Sequence, residues 1–366
     1  MNKLLKHTLL ATAVTAAMVT TTASAEKNLV VVSWGGAYTD SQQNAYHEPY
    51  MALNPDINII NDDSSNAAIA KLRAMKEAGV MTWDLVDVVA ADAMLACDEG
   101  LADEIDHDAV LADAPDGTKA SVDFGDFIIS PCFIPQIVYS TTFGYRTDNV
   151  GDTPPTSIND VFDLKKYPGK RALEKKAQNN FEWALIADGV PKNKVYELLA
   201  TDAGVDRALA KLDTIKDEVV WWEKGAQTPQ LLADGEVVMG STYNGRLFSL
   251  IAEEKQPVAM MWDYQVYDLD GWILPKGTEN KAEVLKYLKF ATDTQRLADQ
   301  AKYISYGPTR ASSAPMVGKH ASLGIDMAPH MPTAPANSKN TLLYNYAFWA
   351  DNVDDLNEKF QAWLAN

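Results

Sequence analysis

The sequence is short of the residues on which most enzymatic and metal sites depend. Its 366 residues include two cysteines and five histidines, and no two histidines lie at the spacing of a metal-binding pair. It has no GxSxG or HExxH motif and no glycine-rich phosphate loop. These absences argue against an enzyme, and we expect no metal and no cofactor. The alternative left open is a secreted hydrolase that uses Asp263, Asp268 and Asp270 in acid–base chemistry.

Basic residues are also scarce relative to acidic ones. The chain has 32 Lys and Arg against 50 Asp and Glu, a formal net charge of −18. Such a surface repels polyanions, which argues against nucleic acid or an anionic membrane as a partner. Beyond residue 25 there is no apolar run of the roughly 18 residues needed to cross a bilayer. Composition and length together predict a soluble protein of about two domains.

The first 25 residues have the order of a secretory signal peptide. Lys3 and Lys6 precede an apolar stretch at residues 9–19, and the sequence Ala-Ser-Ala gives a small-x-small cleavage site before Glu26. A short membrane anchor would have a longer apolar stretch. We therefore predict that residues 1–25 are a signal peptide and that the protein works in the periplasm. Loss of Lys3 and Lys6 with this segment changes the formal charge from −18 to −20.

The predicted export of the protein affects how its two cysteines are interpreted. Cys97 and Cys132 would reach a compartment in which disulfides persist. A metal pair or a redox pair is less consistent with the sequence, because there is no CxxC spacing and the histidines are scattered. We predict one structural disulfide, contributing about 3–4 kcal/mol in the chain-entropy model.

The N-terminal part alternates between strand and helix patterns. β-Branched runs at residues 29–33, 57–60 and 83–89 alternate with helical segments, the first capped by Asp40 or Ser41. A β-α-β-α-β order predicts an α/β fold with a parallel sheet and helices on both faces. Ligands of such sheets bind beyond the carboxyl ends of the strands. That rule selects three segments as candidates for the site: residues 34–38, 64–66 and 90–92.

The rest of the chain builds a second lobe and then returns to the first. Strand patterns at residues 134–141, 237–241, 258–262 and 272–274 are followed by helical patterns at 282–292 and 344–364. We predict two lobes with a cleft between them. The first comprises residues 26–140 plus 271–315, and the second comprises residues 141–270 plus 316–366.

Several motifs together resemble one family. VVSWGGAYTDSQQNAY, WDLVDVVAADAMLACDEGL and LLADGEVVMGSTYNGR, followed by YDLDGWILPKGTENK and YGPTR, are similar to periplasmic solute-binding proteins of the spermidine/putrescine class. The resemblance implies a two-lobed fold in which each lobe is a mixed sheet flanked by helices. It also implies a ligand held in the interlobe cleft by lobe closure, hinges near residues 140–141 and 270–271, and delivery to an ABC permease in the inner membrane. We expect a monomer.

The resemblance also points to ligand-binding residues. Aromatic side chains attract cations by about 0.5–2 kcal/mol each, although a single aromatic residue more often packs in a core. Trp34 and Tyr243 lie where relatives place the aromatic walls of the ligand site. Asp270 lies where polyamine-binding relatives use an aspartate on an amino group, and neighbouring Asp268 could serve instead. The full candidate set is Trp34, Tyr38, Asp92, Asn179, Trp183, Tyr243, Arg246, Asp270, Trp272 and Tyr306.

Arg246 is the main departure from the polyamine-binding pattern. A guanidinium in the cleft would repel a polyamine but would bind a carboxylate through two hydrogen bonds. Residues 175–179 also lack the acidic residues that spermidine-binding relatives carry there. We therefore expect a small amine-type cation or zwitterion: a betaine, a sulfonium acid such as dimethylsulfoniopropionate, or an ω-amino acid such as γ-aminobutyrate. The alternatives are a spermidine or putrescine ligand, and an Arg246 that merely pairs with a surface acid.

Overall fold

The computed structural model describes residues 27–366. The predicted signal peptide at residues 1–25 lies outside the described residues. Within them, no helix is long and apolar enough to cross a membrane.

The strands of the described residues join into one mixed sheet. They are β1 Lys27–Val32, β2 Ile57–Asp62, β3 Leu85–Val89, β4 Ile134–Arg146, β5 Arg171–Glu174, β6 Val219–Trp222, β7 Met239–Tyr243, β8 Val258–Ile273, β9 Gly307–Pro308 and β10 Leu342–Leu343. The sheet order is β2-β1-β3-β8-β4-β7-β5-β6, with β9 beside β4 and β10 beside β8.

Helices cover this sheet. They are α1 Gly36–Gln42, α2 Glu48–Leu53, α3 Ala68–Ala78, α4 Ala90–Asp98, α5 His107–Val110, α6 Ala120–Phe124, α7 Ile158–Phe162, α8 Asn180–Ala187, α9 Val195–Leu199, α10 Asp202–Asp213, α11 Gln227–Ala233, α12 Asn244–Phe248, α13 Lys281–Ala291, α14 Thr294–Gln300 and α15 Tyr346–Ala365. The segments Gln43–His47 and Ser249–Glu253 are π-helical. Single 3₁₀ turns lie at Ser65–Ala67, Gly125–Phe127, Lys192–Lys194, Lys216–Glu218, Ala314–Met316 and Ala328–His330.

The predicted β-α-β-α-β unit, with its parallel strands, is present at one end of the sheet. β1 pairs in parallel with β2 and β3, and β5 pairs in parallel with β6 and β7 at the other end. We call the part around β1–β3 the first half and the part around β5–β7 the second half. β4 and β8 run antiparallel through both, with Ile134 opposite Trp272 at one end and Arg146 opposite Val258 at the other. The α/β fold class is confirmed, and the sheets of the two halves are joined by these two strands.

Each half has its own buried apolar cluster. In the first half, Val31 and Trp272 pack on one face of the sheet, while Val32 and Ile273 pack on the other. This follows from strand alternation. In the second half, α15 completes a cluster in which Phe360 packs beside Phe181. The exact lobe boundaries stay a prediction.

Two local predictions were wrong. The patterns at residues 258–262 and 272–274 belong to one strand, β8, whose polar middle is accommodated by a register shift and a positive φ of 52° at Tyr264. The first helix begins at Gly36 without a side-chain cap, and not at Asp40 or Ser41. Gly35 and Gly36, with φ of 77° and 58°, make the tight turn that starts it.

The disulfide prediction is confirmed. Cys97 at the end of α4 is bonded to Cys132, and their Cα atoms are 5.7 Å apart. The bond ties α4 to the segment that enters β4, 35 residues further along the chain.

Candidate ligand-binding site

A cleft of about 990 Å³ is lined by residues of both halves. Trp34, Asn66 and Asp92 come from the segments that follow β1, β2 and β3. Lys176 follows β5, and Tyr243 ends β7. The carboxyl ends of the parallel strands in both halves therefore face one space, as expected for parallel sheets.

Eight of the ten predicted site residues line this cleft. They are Trp34, Tyr38, Asp92, Asn179, Tyr243, Arg246, Asp270 and Tyr306. Asp92 is half-buried in the first turn of α4, and burial raises the pKa of its carboxyl. Asn179 precedes α8 with a φ of 67°, and its buried Oδ1 atom has no hydrogen-bond partner.

Trp183 and Trp272 do not line the cleft, which corrects their inclusion as candidates. Trp183 lies on α8 one turn beyond Asn179, packs 4.7 Å from the ring of Phe143, and donates its indole N–H to the Tyr264 carbonyl at 2.9 Å. Trp272 shares the face of β8 that carries Asp270, but it lies further into the first half. There the π-helical segment covers it, with Tyr46 only 5.7 Å away between ring centroids.

Asp270 forms the centre of an acidic end of the cleft. Its carboxylate is 4% exposed, and Oδ1 lies 2.8 Å from the hydroxyl of Tyr38. Burial raises the pKa of Asp270 well above its usual range, and the negative charge of Asp87 raises it further. This end of the cleft therefore favours a positively charged group that can donate hydrogen bonds.

Asp268, the alternative to Asp270, also lines the cleft, but both of its carboxylate oxygens already accept hydrogen bonds from the protein. It accepts a hydrogen bond from the hydroxyl of Tyr139 at 2.7 Å and one from its neighbour's backbone N–H. Burial raises its pKa to about 6, while the Tyr139 hydrogen bond lowers it. Asp270 is therefore the better placed of the two to bind a ligand.

Arg246 provides a cation without a protein counter-ion. It lies on α12 just after β7, and among the described residues no carboxylate is within 4.0 Å of its guanidinium. Its Nε atom is buried and has no hydrogen-bond partner. The ring of Tyr243 and the Arg246 guanidinium lie close to Gly225, where a Cβ atom would come within 2.6 Å and 3.1 Å of them. The surface ion pair considered from the sequence is absent from this part of the chain.

A row of tyrosine rings connects the two charged ends. Tyr38 and Tyr306 have centroids 6.0 Å apart, Tyr306 and Tyr139 are 6.1 Å apart, and Tyr139 and Tyr243 are 5.6 Å apart. Burial raises the pKa of Tyr306 to about 12, while the charge of Arg246 lowers it and that of Asp270 raises it. Tyr306 thus lies within the field of both charges. Tyr139 was not predicted; its position in a buried strand made it look like a core residue.

The sequence matches a known protein family. The model of the bacterial extracellular solute-binding proteins matches residues 45–333, most of the chain. The chain belongs to that family. The gamma-aminobutyric acid-binding protein of Pseudomonas aeruginosa is 35% identical over 339 residues, which are 93% of this chain and 91% of the relative.

Solved structures of similar proteins have the same fold as this solute-binding protein. The structure of the Atu4243 GABA receptor has a TM-score of 0.78 at 32% identity, covering 93% of this chain and 98% of that chain. The PBP MotA from A. tumefaciens B6, in complex with glucopine, has a TM-score of 0.80 at 29% identity, covering 92% and 100%. These neighbours are two-lobed binding proteins, and members of the group are substrate-binding proteins of ABC transporters. The family and its neighbours are transport proteins rather than enzymes.

The candidate cleft also contains residues that the sequence did not single out. Lys176 forms an ion pair with Glu174 at 2.9 Å. Burial lowers the pKa of Lys176, but the charge and hydrogen bond of Glu174, together with Tyr243 and the charge of Asp268, outweigh it, and the pKa lies above its usual value. Apart from Glu174 Oε2, which is in the ion pair with Lys176, the buried cleft-lining polar atoms without a hydrogen-bond partner among the described residues are Trp34 Nε1, Ser65 Oγ, Gln178 Oε1, Asn179 Oδ1 and Arg246 Nε. Buried polar atoms are normally paired, so these atoms are suited to contact a polar solute.

Proposed function

We propose that this protein captures a small zwitterion with a primary ammonium group and a carboxylate at opposite ends, such as γ-aminobutyrate. The observation that carries the proposal lies in one cleft: within residues 27–366, Arg246 has no acidic partner within 4.0 Å and the buried Asp270 has no basic one. The ammonium would bind Asp270 and the Tyr38 hydroxyl, and the carboxylate would bind Arg246. The tyrosine row would pack along the chain between them.

The number of hydrogen-bond donors on the cationic group distinguishes an ω-amino acid from a betaine or a sulfonium acid. Asp270 and Asp268 offer carboxylate oxygens as acceptors. A primary ammonium can donate to such acceptors, and charge-assisted hydrogen bonds of this kind are stronger than neutral ones. A quaternary ammonium or sulfonium group has no N–H to donate and would leave the buried acceptors unpaired. The acidic end therefore favours the ω-amino acid.

A polyamine fits this cleft less well. A second ammonium group would approach Arg246, and no carboxylate of the described residues lies within 4.0 Å of that guanidinium to compensate the repulsion. Among the relatives, the gamma-aminobutyric acid-binding protein of Pseudomonas aeruginosa also supports an amino-acid ligand.

Binding would be coupled to closure of the two lobes. Ligand atoms would contact Asp270 through the first half and Arg246 through the second, and β4 and β8 are the strands that pass between them. A ligand that contacts both sides has a higher affinity for the closed state and shifts the population toward it. We infer that the protein is a monomeric, non-enzymatic periplasmic component that presents the closed form to an inner-membrane permease.

A binding screen tests this proposal. Thermal shift and calorimetry would compare γ-aminobutyrate, glycine betaine, dimethylsulfoniopropionate, putrescine and spermidine. A ligand at 100 times its dissociation constant stabilises the folded protein by about 2.7 kcal/mol. We expect the largest shift with γ-aminobutyrate. Tight binding of spermidine with no shift for γ-aminobutyrate would overturn the zwitterion proposal.

A further inference from the structure

The acidic end contains a second carboxyl group that does not line the cleft. Asp87 lies in the middle of β3, is 0% exposed, and sits behind Tyr38. Its Oδ1 atom is 3.3 Å from the Tyr38 hydroxyl, which also lies 2.8 Å from Asp270 Oδ1. One hydroxyl group therefore connects two buried carboxyl groups.

The hydrogen-bond network around the two carboxyl groups has more acceptors than protons. The single Tyr38 proton faces three oxygens, those of Asp87, Asp270 and Gln136, the last at 2.8 Å. The amide N–H₂ of Gln42 donates to Asp87 and lies 3.2 Å from the Gln136 oxygen. The Gln136 amide nitrogen donates elsewhere, to Gln300 at 3.3 Å. The Trp272 indole N–H also lies beside Asp87 but makes no hydrogen bond of normal geometry. One further proton would bridge the two carboxyl groups.

No basic side chain compensates the two acids. Within the described residues, no Lys, Arg or His nitrogen lies within 4.0 Å of either carboxyl group. The cation on neighbouring α14, Arg296, is paired with Asp299 at 2.7 Å. The titratable groups that face the two acids are Tyr38, Tyr46 and Tyr287 around Asp87, and Tyr139, Tyr306 and Asp268 around Asp270. These are neutral or acidic, so two buried negative charges would repel each other without relief.

We propose that Asp87 is a positioning residue of the amine site: in the ligand-free protein Asp87 and Asp270 share one proton, which the ligand's ammonium group replaces. This inference rests on the proposed binding of an ammonium at Asp270. In the exchange the carboxyl O–H bond breaks and its proton passes to solvent, while the ligand keeps all its N–H bonds. The site then holds two carboxylates, with the ammonium at Asp270 and Asp87 one hydroxyl group further back, where before it held one carboxylate and one carboxylic acid.

The exchange makes recognition dependent on both charge and hydrogen-bond donors. Burial raises the pKa values of both Asp87 and Asp270, which is consistent with a retained proton at neutral pH. Because binding releases a proton, affinity should rise by about tenfold per pH unit over the range in which the free pair stays protonated. A neutral hydroxyl in place of the ammonium could not displace the proton and should bind weakly.

Calorimetry of the purified protein with γ-aminobutyrate at pH 7 measures the exchange directly. Both ionisable groups of this ligand are fully charged at pH 7, so any proton released comes from the protein. Titrations in buffers with different ionisation enthalpies should report release of about one proton per ligand. Asp87→Asn should abolish this release and flatten the dependence of affinity on pH. Asp84→Asn is the matched control, because Asp84 is a buried acid next to the same strand, accepts a hydrogen bond from the Val30 N–H and lies outside the cleft. This variant should release as many protons per bound ligand as the unmodified protein.

Equal binding heats in all buffers would overturn the inference, as would proton release that persists in Asp87→Asn. Infrared spectroscopy covers the case in which that variant does not fold. The ligand-free protein at pH 7 should show a protonated-carboxyl band, in addition to that of the buried Glu182, that disappears in Asp270→Asn and on adding ligand. Absence of that band refutes the shared proton. Absence of any γ-aminobutyrate binding with the band present refutes the proposed ligand and leaves the shared proton supported.

Discussion

Replacement of Arg246 by methionine separates ligand recognition from folding. The side chain is half-buried, its Nε atom has no partner, and no described carboxylate lies within 4.0 Å of it. In the ligand-free protein Arg246→Met therefore removes a cation that nothing compensates, and the free energy of unfolding should stay the same or rise. In the complex it removes the partner of a buried carboxylate.

The cost to binding follows from charge-assisted hydrogen bonding. Truncating one partner of a buried, hydrogen-bonded charge pair costs about 2–5 kcal/mol, which corresponds to a loss of affinity of roughly thirtyfold to a few thousandfold. Arg246→Lys keeps the charge but loses the planar fork, so its loss should be smaller.

The assay compares γ-aminobutyrate with butylamine, which lacks the carboxylate. The unmodified protein should prefer γ-aminobutyrate strongly, and that preference should disappear in Arg246→Met. Arg310→Met is the contrasting variant, because Arg310 is fully buried and paired with Asp123 at 2.9 Å. Breaking such a pair costs about 3–5 kcal/mol of stability. If Arg246→Met were as destabilising as Arg310→Met, or if it kept the preference for γ-aminobutyrate, Arg246 would be a structural residue.

Two further substitutions test the packing of the cleft and of the second half. Gly225→Ala would place a Cβ atom 2.6 Å from the Tyr243 ring and should weaken binding while the protein stays folded; Gly318→Ala, with its nearest neighbour at 3.9 Å, should bind normally. Glu182 is 0% exposed and accepts from the Trp349 indole at 2.8 Å, and burial raises its pKa from 4.5 to about 7. Because the folded state then holds a proton that the unfolded chain releases, stability should fall as the pH rises from about 4.5 to about 7. Glu182→Gln should remove this fall and stabilise the protein at pH 8 by about 3 kcal/mol, but not at pH 4; an unchanged denaturation midpoint at pH 8 would contradict the assignment.

The sequence predicted the strands and helices more reliably than it predicted which of their faces are covered by other segments. The rule that ligands lie beyond parallel strands placed Trp34 and Asp92 correctly at the cleft. The family resemblance, which supplied Asp270 and Trp272 as candidates, did not distinguish between these two residues on one face of β8. The difference between them is the π-helical segment that covers Trp272, and its position depends on tertiary packing that strand alternation does not encode.

The sequence indicated a special role for Asp87 only indirectly, because this residue lies within a pattern typical of a buried strand. The run Trp-Asp-Leu-Val-Asp-Val-Val reads as a buried strand, and an aspartate in its centre has no partner nearby in the chain. Its neighbours Tyr38 and Asp270 are 49 and 183 residues away along the chain, and only the fold brings them together. A charged residue in a buried strand requires a partner, but the sequence does not identify which one.

The overall charge of the protein and the selectivity of its cleft are separate properties. The formal charge of −18 by itself suggests a ligand that is a cation. In the cleft, however, Lys176 is neutralised by Glu174, and Arg246 stands unpaired at the far end of the tyrosine row from Asp270. A zwitterion has no net charge for the surface field to attract, so its recognition depends on the separation between these two groups. The acidic surface contributes to solubility and repels polyanions, whereas we propose that the choice of solute rests on one arginine, one carboxyl pair and the aromatic row between them.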